Sequence, residues 1–180
     1  MDPVMHILLP LLVLMALRVD PRKAVLFAPL GLVPDLDAVL GYHRMILHSF
    51  IPVLVLPMAL IIFSKYRRPE WLTSALLVQY YLASHIVLDL AGVAFFWPFT
   101  TEMLYFQPEL RFNMIGGINF EWHFRMGLTA YKPMADTDFI AQSTFAVLLL
   151  LVLAALVYRQ EARSAVLRVW AIVRSAVLRN

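Results

Sequence analysis

Long apolar runs separated by short polar breaks order this chain, and their lengths predict helices rather than strands. The first run predicts a helix from about Val4 to Leu17, broken by Arg18, Asp20, Pro21, Arg22 and Lys23. Ala24 to Val33 is apolar but contains Pro29 and Gly31 and stops at Pro34. It is too short for an upright span of about 20 residues and reads as a half-helix held by its neighbours. Ile46 to Ser64 predicts a third helix, ended by Lys65-Tyr66-Arg67-Arg68-Pro69, and Leu72 to Gly92 a fourth, ended near Trp97-Pro98. A polar and aromatic segment, 93–138, precedes a fifth helix from about Phe139 to Tyr158. In the tail, Arg-Ser-Ala-Val-Leu-Arg occurs at Arg163–Arg168 and again at Arg174–Arg179. An offset of about three helical turns returns the arginines to one face, so the tail reads as an amphipathic basic helix, interfacial or simply solvated.

The expected fold is therefore all-α, a polytopic membrane bundle of about 4–5 transmembrane or half-membrane helices. Residues 1–158 form its membrane-embedded part, 93–138 its outer aromatic segment, and 159–180 the basic tail helix.

Composition strengthens the membrane reading. The chain is 62% hydrophobic and only 15% charged, apart from the usual balance of a soluble domain. No cysteine is present, which excludes disulfides and thiolate metal sites. The net charge of +3 is small, and the basic residues flank apolar runs rather than gather into a nucleic-acid face. The first run has no basic stretch before it and no small-x-small cleavage site, so it is expected to be retained as a helix rather than removed as a signal peptide. Arg18, Arg22, Lys23, Lys65, Arg67, Arg68 and the tail arginines belong in the cytoplasm by the positive-inside rule. That puts the N-terminus and the aromatic segment outside and the C-terminus inside.

Against this apolar background stand His6, Asp35 and Asp37 in Pro34-Asp35-Leu36-Asp37, His43, Arg44 and His48 in the turn that follows, and His85 and Asp89 in Ser84-His85-Ile86-Val87-Leu88-Asp89. Imidazoles and carboxylates are costly in a bilayer and mark functional sites. Together they are also the oxygen and nitrogen ligands that suit Zn²⁺. The orientation set by charge gathers them at one depth. His6 is at the outer end of the first helix, and His85 is about 20 Å above Leu72 at 1.5 Å per residue.

Each part also has a plainer explanation. His85 and Asp89, four apart, share a helix face, as ligands or as a buried hydrogen-bonded pair. Asp35 and Asp37 point together in an extended turn but not in a helix, and one of them can cap a helix start. His43 and His48 converge only if His43 sits in a turn. Arg44 carries the planar donor fork that grips phosphate, or is an ordinary interfacial arginine. Glu121 and His123 in Phe120-Glu121-Trp122-His123-Phe124 are either further ligands or members of an aromatic belt. The ligand set exceeds what one tetrahedral Zn²⁺ requires, which allows one or two ions.

At these residues the chain resembles the membrane-bound metal-dependent hydrolases of the YdjM-like family. That family is marked by an N-terminal His, then Pro-Asp-x-Asp-His, His-Arg-Gly-x-Thr-His-Ser, Ser-His-x-x-x-Asp and Trp-Pro. His6, Pro34-Asp35-Leu36-Asp37, His43-Arg44, His48-Ser49, Ser84-His85, Asp89 and Trp97-Pro98 match in order over residues 1–98. Ala38 stands where the family often has a histidine, and Met45 and Leu47 replace its Gly and Thr. A weaker similarity is to zinc-dependent phospholipase C.

These readings predict a hydrolase of the prokaryotic plasma membrane, dependent on a divalent metal, with zinc first in line. Its substrate is expected to be a lipid or lipid-linked phosphoester at the outer interface. His6, Asp35, Asp37, His43, His48, His85 and Asp89 are the expected ligands, with Glu121 and His123 behind them. Asp35, Asp37 and Arg44 are the expected catalytic groups. Membrane lipids are the expected partners, nucleic acid is not, and the sequence leaves the oligomeric state open. The rival reading is a non-enzymatic metal protein, either a structural site or a cation path through Gln79 and Tyr80.

Overall fold

The computed structural model describes residues 3–113 and 119–132 and, beyond them, only positions 152, 154, 158 and 163. The expected helix over Phe139–Tyr158 and the tail helix over 159–180 otherwise lie outside the described residues. The chain divides into two units, Met1–Ile140 and Ala141–Asn180, and every element below belongs to the first.

Helix α1 (Pro3–Ala16) is followed by α2 (Pro21–Phe27). Asp20 caps α2 by accepting the Arg22 N–H at 3.0 Å, and Pro21 fits the first helical position, where no N–H is needed. The half-helix expected over Ala24–Val33 is split between the end of α2 and a 3-10 segment, Ala28–Leu32, and a second 3-10 segment, Pro34–Leu40, follows it. The second stops at Gly41, whose φ of 74° is the left-handed conformation that glycine tolerates.

Helical structure begins at Phe50, four residues after the start of the apolar run, and the regular α-helix only at Leu56. After an irregular turn comes a π-helical turn, Ile51–Val55, and only then α3 (Leu56–Arg67). The backbone groups of the turn are engaged elsewhere. The Arg44 and Met45 N–H groups bond to Asp37, the Arg44 carbonyl accepts from Ala94, and the Phe50 N–H bonds to the Phe95 carbonyl. Pro57 also lacks the N–H that would bond Val53, and the Gln79 side-chain amide serves that carbonyl instead at 3.0 Å.

Helix α4 (Leu72–Leu88) is the central element. On one side Tyr81, Leu77, Leu14, Ala24 and Ala28 form a core with α1 and α2. On another, Leu82 and Ile86 pack with Val53 and Val93. The Tyr80 hydroxyl donates to the Pro10 carbonyl and the Tyr81 hydroxyl to the Ala24 carbonyl. Gln79 and Tyr80, the side chains of the supposed cation path, thus each bind a backbone carbonyl.

Large apolar side chains lie exposed along α1, α3 and α4, among them Val13, Met58, Ile62, Phe63, Leu76 and Val87. Lipid accepts such a surface and water does not. Among the described residues, however, a single helix is long and apolar enough to cross a membrane, Pro69–Leu88. The 14 residues of α1 reach only about 21 Å against a hydrocarbon thickness of about 30 Å. The described residues thus give one spanning candidate where the sequence predicts about 4–5 transmembrane or half-membrane helices.

Nor is the fold all-α. Strands β1 (Met103–Asn113) and β2 (Asn119–Thr129) make an antiparallel hairpin, with Met103 opposite Thr129 and Asn113 opposite Asn119. Its base is tied to the segment after α4 by two Val93–Leu104 hydrogen bonds and by the Phe106 N–H to the Leu90 carbonyl.

Candidate metal centre

Four segments meet at the end of α4: the start of α1, the 3-10 segment Pro34–Leu40, the turn 41–50, and the His85–Asp89 end of α4 itself. His6, Asp37, His48, His85 and Asp89 are at most 1% exposed. Asp35, Arg44 and His43 keep 13%, 12% and 19% and form the open edge.

The orientation of two imidazoles defines the site. The Nδ1 of His48 lies 2.9 Å from Asp37 Oδ2, and the Nδ1 of His85 lies 2.6 Å from the Gly31 carbonyl. Both partners only accept hydrogen bonds, so each Nδ1 carries its ring's proton. Each neutral ring then presents a bare lone pair at Nε2, and the two Nε2 atoms are 3.0 Å apart. Two lone pairs aimed at each other repel unless a proton or a cation lies between them.

Two carboxylate oxygens complete the group. Asp35 Oδ1 is 3.7 Å from His48 Nε2 and 3.5 Å from His85 Nε2. Asp89 Oδ2 is 3.7 and 3.8 Å from the same two atoms. Ligands about 2.0–2.1 Å from a tetrahedral ion lie roughly 3.3 Å apart. The five separations that involve an Nε2 atom, 3.0 to 3.8 Å, bracket that value, and all four donors lie within 4.8 Å of one another. The donor set of Asp35, His48, His85 and Asp89 fits a divalent metal.

Charge points the same way. Asp35, Asp37 and Asp89 are close together, with Arg44 Nε 3.5 Å from Asp89 Oδ2. Three carboxylates and one guanidinium leave two negative charges when the imidazoles are neutral, a buried excess that one divalent cation would cancel.

Asp37, His43 and His48 form a second close group. Asp37 already receives four donors there: His43 Nδ1 at 3.3 Å and the Arg44 N–H at 3.3 Å on Oδ1, the Met45 N–H at 3.1 Å and His48 Nδ1 at 2.9 Å on Oδ2. Burial by itself raises the Asp37 carboxyl, but the bonds from His43 and His48 outweigh it and hold the group below the usual carboxylate range. Asp35 and Asp37 point apart because a 3-10 helix turns about 120° per residue, which places i and i+2 on different sides. They clasp opposite nitrogens of the same His48 ring, and neither is the helix cap that the sequence also allowed.

His6 stacks on His85 with ring centroids 4.0 Å apart and directs Nε2 to Asp89 Oδ1 at 3.4 Å. It lies against the four-atom group through Asp89 rather than within it. Glu121 and His123 pair with each other at 3.3 Å on the exposed hairpin and belong to neither group.

Sequence reasoning missed two residues that build the site. Gly31 supplies the carbonyl that orients His85, and a Cβ on it would overlap the His6 carbonyl oxygen. Pro10, with no N–H to offer that oxygen, leaves room for the approach. A glycine within an apolar run was the available signal. Tyr131, whose hydroxyl donates to the His43 carbonyl at 3.1 Å, carried no signal at all.

A helical protein with a lipid-compatible surface and a buried centre of two imidazoles and two carboxylates is the class that fold and site define. The family model described as YdjM inner membrane protein matches residues 1–172, and the chain belongs to that family. The resemblance drawn from the motifs thus holds, and the chain is a membrane protein. No curated protein and no solved structure matches it, so the likeness to zinc-dependent phospholipase C has no support.

Proposed function

We propose that this protein is a metal-dependent hydrolase acting on an amphiphilic phosphoester at the membrane interface. The observation that carries the reading is the pair of Nε2 lone pairs 3.0 Å apart, flanked by the Asp35 and Asp89 oxygens. Asp35, His48, His85 and Asp89 would hold the ion, with zinc first by donor type. Such an ion supplies Lewis-acid polarisation of the scissile bond and a water of lowered pKa.

The remaining residues position and bind. Asp37 fixes the tautomer and ring angle of His48, as carboxylates behind metal-bound histidines do, so it acts through His48 rather than on substrate. The Gly31 carbonyl does the same for His85. Arg44, at the open edge, is the residue to hold a phosphate oxygen. Its backbone is left-handed, with φ of 64°, and is pinned by the Asp37 and Ala94 hydrogen bonds. A non-glycine residue in that conformation costs of order 1 kcal/mol, a strain found often at working sites. Asp35 is the partly exposed ligand and therefore the one placed to receive a proton from an incoming water. The site lies at the opposite end of α4 from Arg67 and Arg68, which favours its non-cytoplasmic placement.

A structural metal is the second reading. Four protein ligands saturate a tetrahedral ion, and catalytic sites usually keep a position open. Metal content and turnover of phosphoester lipids, measured together, decide between the two. The hydrolase reading expects metal-dependent turnover that is abolished in His85→Ala and Asp35→Ala. Bound metal with no turnover on any phosphoester lipid would leave the structural reading standing.

A further inference from the structure

The hairpin has two unlike faces. Side chains alternate along a strand, and antiparallel register sets Leu104 opposite Leu128 and Phe106 opposite Met126. Those four, with Trp122 and Phe124, share one face. The Phe106 and Phe124 rings are stacked at 6.2 Å, and those of Trp122 and Phe124 at 6.1 Å. The opposite face carries Glu109, Glu121, His123 and Arg125, with Arg125 bonded to Glu109 at 3.1 Å. Trp122, Phe124, Met126 and Leu128 are 60%, 64%, 71% and 51% exposed. A two-stranded hairpin is marginal in water without a partner for such a face.

Two observations identify what covers it. First, the apolar face is continuous with the helix that crosses the membrane. Leu104 lines a groove of about 220 Å³ together with Val53, Ile86, Val87 and Leu90, so the exposed flank of α4 runs onto the hairpin without a polar break. Second, the hairpin springs from the end of that helix, held by the Phe106 N–H on the Leu90 carbonyl. Its base therefore lies where the spanning segment Pro69–Leu88 leaves the hydrocarbon. We infer that the hairpin is a membrane-docking arm, seated with its apolar face on the lipid headgroup boundary of the bilayer that α4 spans.

The depth follows from the backbone. Beyond the bonds of β1 to Val93 and Leu90 the two-stranded sheet has open edges, and unpaired edge groups cannot enter hydrocarbon. The strands must stay at headgroup level while the side chains of the apolar face dip below, with Trp122 and the phenylalanines at the depth aromatics prefer. At about 3.4 Å per residue the 11-residue strands extend roughly 37 Å along the surface. Both ends of the arm return to the metal centre, one at Val93 and Ala94 and the other at Tyr131 on His43. The arm thus fixes the depth of the open edge in the interface, whatever reaction occurs there.

The cysteine-free chain permits a direct test in proteoliposomes of phosphatidylethanolamine and phosphatidylglycerol. Single cysteines replacing Phe124, Met126, His123 or Arg125 are spin-labelled in the full-length protein. Collision with oxygen, which partitions into lipid, is compared with collision with a water-soluble chromium oxalate. The arm predicts a several-fold preference for oxygen at 124 and 126 and the reverse at 123 and 125. In a second measurement the hairpin keeps its native sequence: Trp71, Trp97 and Trp170 are replaced by Phe, leaving Trp122 as the sole indole. Lipids brominated near the headgroup should quench it strongly, lipids brominated near the chain end weakly, and aqueous acrylamide little. Full acrylamide quenching with no bromolipid effect would overturn the docking arm. So would spin–spin broadening at 124 that vanishes on dilution with unlabelled protein, since a second copy would then cover the face.

Discussion

Asp37 shows how one side chain can matter without reaching the candidate metal position or substrate. It takes four donors and passes their order to His48, whose other nitrogen faces the metal position. Asp37→Asn keeps the volume but trades an acceptor-only carboxylate for an amide that can present N–H to the ring. Metal affinity should fall about 10- to 100-fold, the usual effect of losing a partner behind a metal-bound histidine. Competition with a chromogenic chelator reads this, and an unchanged affinity would remove Asp37 from the positioning role. Tyr81→Phe is the contrasting case. It strands the buried Ala24 carbonyl, whose donor now sits at 2.7 Å, at a cost of about 1–3 kcal/mol. A lower melting temperature with unchanged metal content is the expected outcome.

The close approaches that build the centre belong to elements. The 3-10 segment can reach α1 because Gly31 has no side chain and Pro10 leaves the His6 carbonyl without an i+4 donor. Gly31→Ala should force the two apart, move the carbonyl that holds His85, and lower both metal binding and thermal stability. Gly41→Ala meets nothing within 4 Å and suffers only from its φ of 74°. It should cost about 1 kcal/mol and leave the metal bound. Equal behaviour of the two variants in a melt with and without chelator would refute this account of Gly31. The hairpin was also legible at this scale. Trp122, Phe124, Met126 and Leu128 alternate with Glu121, His123, Arg125 and Gly127. The aromatic content, read as a membrane belt, hid a period of two.

In the whole molecule, folding and ion binding should be linked. The four ligand atoms come from three stretches far apart in sequence, so an ion bound to all of them favours only the folded state. Chelation should lower the melting temperature of the native protein and leave that of His85→Ala unmoved. A melting temperature insensitive to chelator in both would mean that these residues hold no ion. The same linkage would explain how a centre of net negative charge is buried: a bound divalent cation would be part of the fold.

By itself the sequence determined the first and fourth helices, the later part of the third, and the membrane character, because apolar run length and charge placement are local properties. It also singled out imidazoles and carboxylates that the fold brings together, because such groups are costly in an apolar chain. The tertiary structure alone decided that Asp35 and Asp37 serve opposite nitrogens of His48, that His6 stands behind Asp89, and that Glu121 and His123 lie apart on a hairpin. It alone also delayed α3 to Leu56, since the preceding turn gives its backbone hydrogen bonds to Asp37 and to the segment around Ala94 and Phe95. Those outcomes depend on which donor meets which acceptor across tens of residues, and run length and spacing contain no record of such meetings.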